Sequence, residues 1–412
     1  MFDRTSHRVR HIALLGFALS VAFFGAVQAV PSAGKSHAKS LATSSFGRPP
    51  RCAEGVAPTD VCQSELPHAA LNDLKAGAGY GRLTYRSSGE YLDILFKTKQ
   101  TAFSLGPAPL VCCDLQMYLD PVGPDLWAAR IRVPRLDRAV LDLGVLNSGK
   151  MVGLMSTGFH PVTYVGAHAD HPALKPARFA QPLKEITFKS AALGESRKVH
   201  VFTGKLCTTT APPCRILYFA DGVLFEPFLY NAPIAQRQML DRLIIVGLDG
   251  PVNKTVDHNR RNAELLLDEG KPDFTAFETF LVKEVMPRIE GSAYGSIPRE
   301  IGGSSDGGSW AINMALRHPG MFCDVLAFSS GKWTSPHDVG DASLDQTVFW
   351  MGSGTVDDFY AEDIRYAAAV KKLGFKVHQQ YFTGGHSPTT WNALFWWALA
   401  GQEATTEKCK AS

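Results

Sequence analysis

Ile301-Gly302-Gly303-Ser304-Ser305-Asp306-Gly307-Gly308-Ser309-Trp310, followed by Ala311-Ile312-Asn313-Met314-Ala315-Leu316-Arg317-His318-Pro319-Gly320, is the stretch that decides the fold. Gly303-Ser304-Ser305-Asp306-Gly307 fits G-x-S-x-G and closes an apolar run that begins at Ser296. From Trp310 the apolar residues recur with helical spacing, and the run stops before Pro319-Gly320. Strand, tight turn and helix in that order hold a serine on a strained elbow with its hydroxyl exposed at the strand end. The flanking glycines fit a turn whose neighbours approach too closely for a Cβ. Ser305 is then expected at the helix N-terminus, where unpaired amides favour developing negative charge. A glycine-rich connection without chemistry is the plain alternative, and the residues downstream of it argue for the elbow.

A serine hydroxyl needs a base, and the base an orienting acid. On this architecture the chain order is serine, acid, histidine. His386 lies in Thr383-Gly384-Gly385-His386-Ser387, after the strand-like run Lys376–Phe382 and before a helix opening Ser387-Pro388. That is a loop at a strand's C-terminal end, where open α/β sheets place their sites. His318 beside Pro319, His337 in a polar loop and His378 inside a strand are poorer candidates. The acid should follow the preceding strand, Val348–Gly354, which makes Asp357 the candidate and Asp358 the reserve. Two backbone amides are needed for an oxyanion: that of Asp306, after the nucleophile, and that of Val223, in the turn after Arg215–Ala220. A carboxylate beside a developing oxyanion is unhelpful, so the Asp306 side chain is expected to turn away.

Outward from the elbow, strand-like runs alternate with helix-period segments from Leu183 onward. Nearly all-apolar strands between helices predict a mainly parallel sheet covered on both faces, an α/β fold. Phe274, Phe277, Leu281 and Val285 form one helical stripe, which Pro287 is expected to kink or stop. Tyr360–Leu373 predicts a helix ended by Gly374, and Ser387-Pro388 the start of another. Between Arg82 and Leu146 the pattern is different: short alternating runs separated by Ser88-Gly89, Gly106-Pro107, Asp120-Pro121 and Gly123-Pro124 predict a β-sandwich.

The N-terminus reads as an address. Arg4, Arg8 and Arg10 precede the apolar run Ile12–Val27, and Val27-Gln28-Ala29 offers small residues for cleavage. This is the order of a secretory signal, with an uncleaved anchor as the competing reading. The predicted organisation is a signal peptide over 1–29, a flexible linker over 30–50 and a β-sandwich over 51–171. A proline-rich strap over 172–182 and an α/β domain over 183–412 complete it. The expected location is periplasmic or secreted, without stable membrane insertion once the signal is removed.

The chain of 412 residues is 45% apolar and 20% charged, which excludes a disordered or collagen-like protein. Its 42 Lys and Arg against 39 Asp and Glu leave +3, too balanced for electrostatic binding of nucleic acid. Eight cysteines in an exported chain predict disulfides, and the two shortest loops, Cys52–Cys62 and Cys207–Cys214, are the cheapest to close. No CxxC pair occurs, and His168 with His171 reads as a polar turn, so neither a metal nor another cofactor is expected.

The stretch from Arg215 to Trp397 resembles the enterochelin-esterase-like branch of the α/β-hydrolases, related to esterase D and the mycolyltransferase antigens. The matching pieces are ILYFADG (216–222), IIVGLDG (244–250), Arg261-Asn-Ala-Glu264 and FLVKEVMPRIE (280–290), then the elbow with ALRHPGMF (315–322), AFSSG (327–331) and TGGHSPTTW (383–391). The resemblance implies an α/β-hydrolase fold preceded by a smaller β-sandwich. It also implies a cofactor-free serine esterase acting on a small-molecule ester, such as a ferric siderophore trilactone or an acylated sugar. By motif it assigns Ser305 as nucleophile, His386 as base, Asp357 as acid, and the Asp306 and Val223 amides as oxyanion donors. Two departures touch substrate preference: Asp306 stands where the family has an apolar residue, and Ser387 where an acidic one is common. Acyl transfer and a catalytically inactive binding module are rival readings of the same fold.

Arg260 and Arg261 could meet an anionic ester, though Arg261 is equally placed to pair with Glu264 three residues on. Arg261 and Glu264 are carried as substrate-binding candidates. Trp333, Trp391, Trp396 and Trp397 could line an aromatic pocket, with the 396–397 pair better suited to the core.

Overall fold

Apolar runs that alternate with helices become one central sheet. The computed structural model describes residues 49–52, 57, 60–100, 108–115, 117–147, 150–152, 162–170, 183–207, 214–222, 237–253, 255–256, 258–268, 271–294, 297–331 and 347–402. The expected signal, the strap over 172–182 and all but the end of the linker lie outside the described residues.

Labels here refer to the C-terminal unit. Its strands are β1 (Lys184–Ser190), β2 (Glu195–Thr203), β3 (Arg215–Ala220), β4 (Leu243–Leu248), β5 (Arg299–Ser304), β6 (Asp324–Phe328), β7 (Val348–Gly354) and β8 (Lys376–Phe382). They lie in the order β1-β2-β4-β3-β5-β6-β7-β8. Strands β3 to β8 run parallel, and β1 and β2 add an antiparallel edge. Every residue of β3, β4 and β6 is buried, as strands covered on both faces require.

Period-two alternation divides the core. Ile216 and Tyr218 face one side with α2 (Asp273–Thr279), α4 (Asp306–Arg317) and α5 (Tyr360–Lys372); Leu217 and Phe219 face the other with α6 (Pro388–Gln402). Trp391, Leu394, Phe395, Trp396, Ala398 and Leu399 make α6 apolar nearly all round, and it is correspondingly buried. Two further helices are α1 (His258–Leu265) and α3 (Met286–Tyr294). The α/β-hydrolase fold expected from the sequence is the fold found.

The helix is distorted just before Pro287 and leaves helical geometry four residues after it, at Gly291 (φ 49°, ψ −148°). Between α2 and α3 the chain widens into a π-helical stretch, Phe280–Val285, and the Met286 amide bonds to the Leu281 carbonyl five residues back. A proline ring presses on the carbonyl four residues back, here that of Lys283, and the widened turn lies at that point.

The N-terminal strands form two five-stranded antiparallel sheets. One contains Leu83–Ser88, Tyr91–Lys97 and Leu126–Arg132; the other contains Leu110–Cys113, Val140–Asn147 and Val162–Val165. Leu92, Ile94 and Ile131 of the first meet Val111, Leu141 and Leu143 of the second in a single core. Disulfides join Cys52 to Cys62 and Cys207 to Cys214, the two short loops expected from sequence. Among the described residues no helix is long and apolar enough to cross a membrane.

Candidate active site

Ser305 joins β5 to α4 with φ 58° and ψ −128°, a conformation that costs a non-glycine residue about 1–3 kcal/mol. The neighbouring strand and helix hold it there. Its amide donates to the Phe328 carbonyl of β6 at 2.9 Å, and its carbonyl accepts from the Gly308 and Gly331 amides at 2.9 and 3.0 Å. A Cβ on Gly303 would lie 2.2 Å from the Gly307 carbonyl oxygen, and one on Gly307 would lie 3.0 Å from Ala220 Cβ. The spacing of G-x-S-x-G is thus a steric requirement of the elbow.

The loops after β7 and β8 bring two more groups to this point. His386 Nε2 is 3.1 Å from Ser305 Oγ, and His386 Nδ1 is 3.1 and 3.2 Å from the two Asp357 oxygens. A carboxylate only accepts, so Nδ1 carries the proton and Nε2 is free to accept from the serine hydroxyl. The Phe359 amide donates to Asp357 Oδ1 at 2.8 Å and fixes the carboxylate's angle. Phe359 and Trp391 pack on the imidazole, with ring centroids 5.1 and 4.9 Å away. Ser305, Asp357 and His386 are all buried.

Electrostatics suit a base. Burial alone would lower the His386 pKa, but the Asp357 carboxylate, reinforced by Asp358 and Asp306, lifts it above its ordinary value. Asp357, rather than Asp358, meets Nδ1. Burial and the Asp357 charge raise the Asp358 carboxyl to about 6. Asp363, at the start of α5, is raised to about 8 by burial and by Asp357, against the opposing effect of the Ser330 amide that it accepts. Asp363 therefore keeps its proton at neutral pH, while Asp358 adds negative charge near the imidazole once the pH exceeds about 6.

Asp306 turns from the site toward Arg261 of α1. Arg261 Nη1 donates to Asp306 Oδ2 at 2.9 Å, while Nε and Nη2 donate to Asp221, just past β3, at 2.7 and 2.5 Å. This overturns the expected Arg261–Glu264 pair. Glu264 instead accepts from Arg197 Nη1 and Nη2 at 2.9 and 2.8 Å and pairs with Arg260 Nε at 3.3 Å. Arg261 and Glu264 are both buried and engaged by protein charges, so the expectation that they contact substrate is withdrawn. The reason is the helix phase: Arg261 points into the sheet end, and Arg260 is left to make the i,i+4 contact.

Val223 and Trp333 lie outside the described residues. Trp396 is fully buried in the core, and Trp391 is the tryptophan that reaches the imidazole. Sequence reasoning missed Asp221 as a partner of Arg261, because Glu264 offered a nearer carboxylate along the chain and no local pattern marks the longer-range pair. No cluster of metal-ligating side chains occurs among the described residues. A hydroxyl, an imidazole and a carboxylate in this chain can move a proton off Ser305 and return it.

A family model described as "Putative esterase" matches residues 190–401. Among solved structures, the chain is similar to the enterobactin esterase of Shigella flexneri determined in the presence of enterobactin, with 16% identity and a TM-score of 0.56 over 81% of this chain and 97% of that one. It is likewise similar to the ferric enterobactin esterase of Salmonella typhimurium, with 14% identity and a TM-score of 0.53 over 77% of this chain and 95% of that one. At such identities these likenesses speak for the fold. No curated protein matches the sequence.

Proposed function

The chain belongs to the esterase family whose model spans residues 190–401, and from that premise we propose that it is an exported serine esterase working through an acyl-enzyme. The observation that carries this reading is the run of contacts from Ser305 Oγ through His386 to Asp357. His386 Nε2 takes the Ser305 proton as Oγ attacks the ester carbonyl. The amides of Asp306 and Val223 receive the oxyanion, and Asp357 balances the imidazolium. The imidazolium returns the proton to the departing alcohol, and water then releases the acid by the same path in reverse.

A siderophore trilactone or related small-molecule ester is the substrate class proposed first. Support comes from the similarity, over most of both chains, to a structure determined in the presence of enterobactin. Residues 1–29 are assigned as a signal peptide, 51–171 as a β-sandwich domain and 183–412 as the esterase domain. The disulfides Cys52–Cys62 and Cys207–Cys214 support an oxidising compartment.

The test is hydrolysis of a short-chain chromogenic ester by Val30–Ser412 beside a folded Ser305→Ala variant, with labelling by a serine-directed phosphonate. Activity and labelling in the parent alone are expected. Turnover retained by Ser305→Ala would sink the assignment. Product analysis with an added alcohol acceptor separates hydrolysis from acyl transfer.

A further inference from the structure

The loop that carries His386 is gripped on one side by the N-terminal β unit. The Thr383 amide and hydroxyl donate to Asp170 Oδ1 and Oδ2 at 3.1 and 2.9 Å, and the Thr383 carbonyl accepts from the Val140 amide at 3.0 Å. At Gly385 the contact is backbone on backbone: a Cβ there would lie 2.4 Å from both Cα and the carbonyl oxygen of Asp114. The Ser387 hydroxyl acts favourably on the Asp114 carboxyl. The Thr389 hydroxyl donates to Asp142 Oδ2, while Thr163 donates to Asp142 Oδ1 at 2.9 Å and the Asp142 amide donates to Asp114 Oδ2. Residues 383, 385, 387 and 389 thus meet the β unit, and His386, between them, reaches Ser305.

We infer that Asp114, Asp142 and Asp170 are positioning residues, and that the β unit works as the clamp that sets the catalytic histidine. The inference rests on the reading of Ser305, His386 and Asp357 given above. A contact that only joined two units would be served by apolar side chains; burying Asp114 and Asp142 together is costly. What the carboxylates add is direction. Asp170 and Asp114 meet hydroxyls of the loop, Thr383 and Ser387, and Asp142 meets that of Thr389 in the first turn of α6, which anchors the loop's far end. Across Gly384-Gly385-His386 the described residues of the hydrolase unit supply only three backbone bonds, from the Gly384 amide to the Phe382 carbonyl, the Ser387 amide to the Gly385 carbonyl and the Val356 amide to the Gly384 carbonyl. Losing the carboxylates therefore gives this glycine-rich segment more room to displace the imidazole. A displacement of about 1 Å at a reacting group can lower a rate by about 100-fold.

Thr389→Val removes one donor and preserves shape; Asp142→Ala removes its acceptor; Thr389→Ser restores the hydroxyl. Each is measured with the chromogenic ester and by the rate of phosphonate labelling, beside thermal unfolding and the Ser305→Ala control. Thr389→Val and Asp142→Ala are expected to lower kcat by about 10- to 100-fold. KM should stay within about twofold. The acid limb of the pH–rate profile should move to lower pH as His386 loosens from Asp357, and Thr389→Ser should recover most of the rate. A purely structural contact would lower the unfolding temperature and leave kcat per folded molecule and the acid limb unchanged; that result overturns the inference. If Asp142→Ala does not fold, Thr389→Val and Asp170→Asn decide. Turnover retained by Ser305→Ala would fault the reading of the site itself, whereas a dead Ser305→Ala with unaffected clamp variants would fault the clamp alone.

Discussion

Arg261 and Asp306 are joined by a 2.9 Å ion pair that points the carboxylate of the residue after the elbow serine away from the serine. The same guanidinium grips Asp221, which follows β3 in a left-handed conformation with φ 58°. One buried cation therefore ties together the two chain segments from which the proposed oxyanion donors come. It also offsets negative charge that would oppose an oxyanion.

Removing that cation should be severe. Arg261→Met takes from the buried Asp221 carboxylate its arginine partner, and from Asp306 one of its contacts, and is expected to lose about 3–5 kcal/mol of stability. Asp306→Asn keeps the backbone amide and an acceptor for Arg261, and is expected to lose under about 2 kcal/mol with kcat reduced only a few-fold. Urea unfolding of the two variants checks the ranking. Equal stabilities would mean that the pair is screened by water.

The two adjacent aspartates after β7 should separate cleanly. Asp357→Asn leaves a side chain that can present an N–H to Nδ1, disfavouring the needed tautomer, and is expected to reduce kcat by roughly 10³- to 10⁴-fold. Asp358→Asn should change kcat by less than about threefold, because Asp358 acts on His386 through charge at a distance. Reversed effects would make Asp358 the acid.

The parts of this molecule that were legible in the sequence are those set by local sterics and strand order. Gly303 and Gly307 announce the elbow because their own neighbours forbid a Cβ, a cause confined to a few residues. Asp357 and His386 could be located because the ends of consecutive parallel strands, β7 and β8, come together at one edge of the sheet. Arg261 was misassigned for the opposite reason. Its partner is selected by how α1 crosses the end of β3, and spacing along the chain carries no trace of that crossing. Pro287 announces a distortion of its helix, but nothing in Phe280–Val285 marks that it takes the form of a π-helical turn. The contacts of Asp114, Asp142 and Asp170 with the His386 loop join residues far apart in sequence, so only the folded chain brings them into view.

The pH dependence of turnover follows from the sign of the His386 shift. Only neutral His386 can accept the serine proton, so kcat/KM should rise with pH through the imidazole pKa. Burial pulls that pKa down, and Asp357 with its neighbours more than restores it, so the midpoint should lie above the ordinary 6.5. Asp357→Asn removes the largest raising influence and should shift the midpoint of the residual activity downward. A midpoint below 6.5 in the parent would mean that burial outweighs the carboxylate.

Stability should show a separate pH dependence, carried by Asp363. Its carboxyl is raised from 3.8 to about 8 in the folded protein, chiefly by burial. Folding therefore retains a proton that the unfolded chain gives up near pH 4. The resulting stabilisation is fully present below that value and is lost as pH rises through about 8. Within that window each such group contributes a slope of at most about 1.4 kcal/mol per pH unit. Glu300, raised to about 7 chiefly by burial, acts in the same sense but is spent sooner. Glu278 acts oppositely: Arg317 and His318 overcome the effect of burial and hold it at about 2, so its contribution is present above about 4.5 and is lost only toward pH 2. Asp363→Asn retains an acceptor for the Ser330 amide and cannot ionise. Urea unfolding at pH 5, 6, 7 and 8 should show the variant losing less stability than the parent at each step, including the step from 7 to 8 where Glu300 no longer contributes. Parallel pH profiles for the two proteins would mean that Asp363 is already ionised in the folded state.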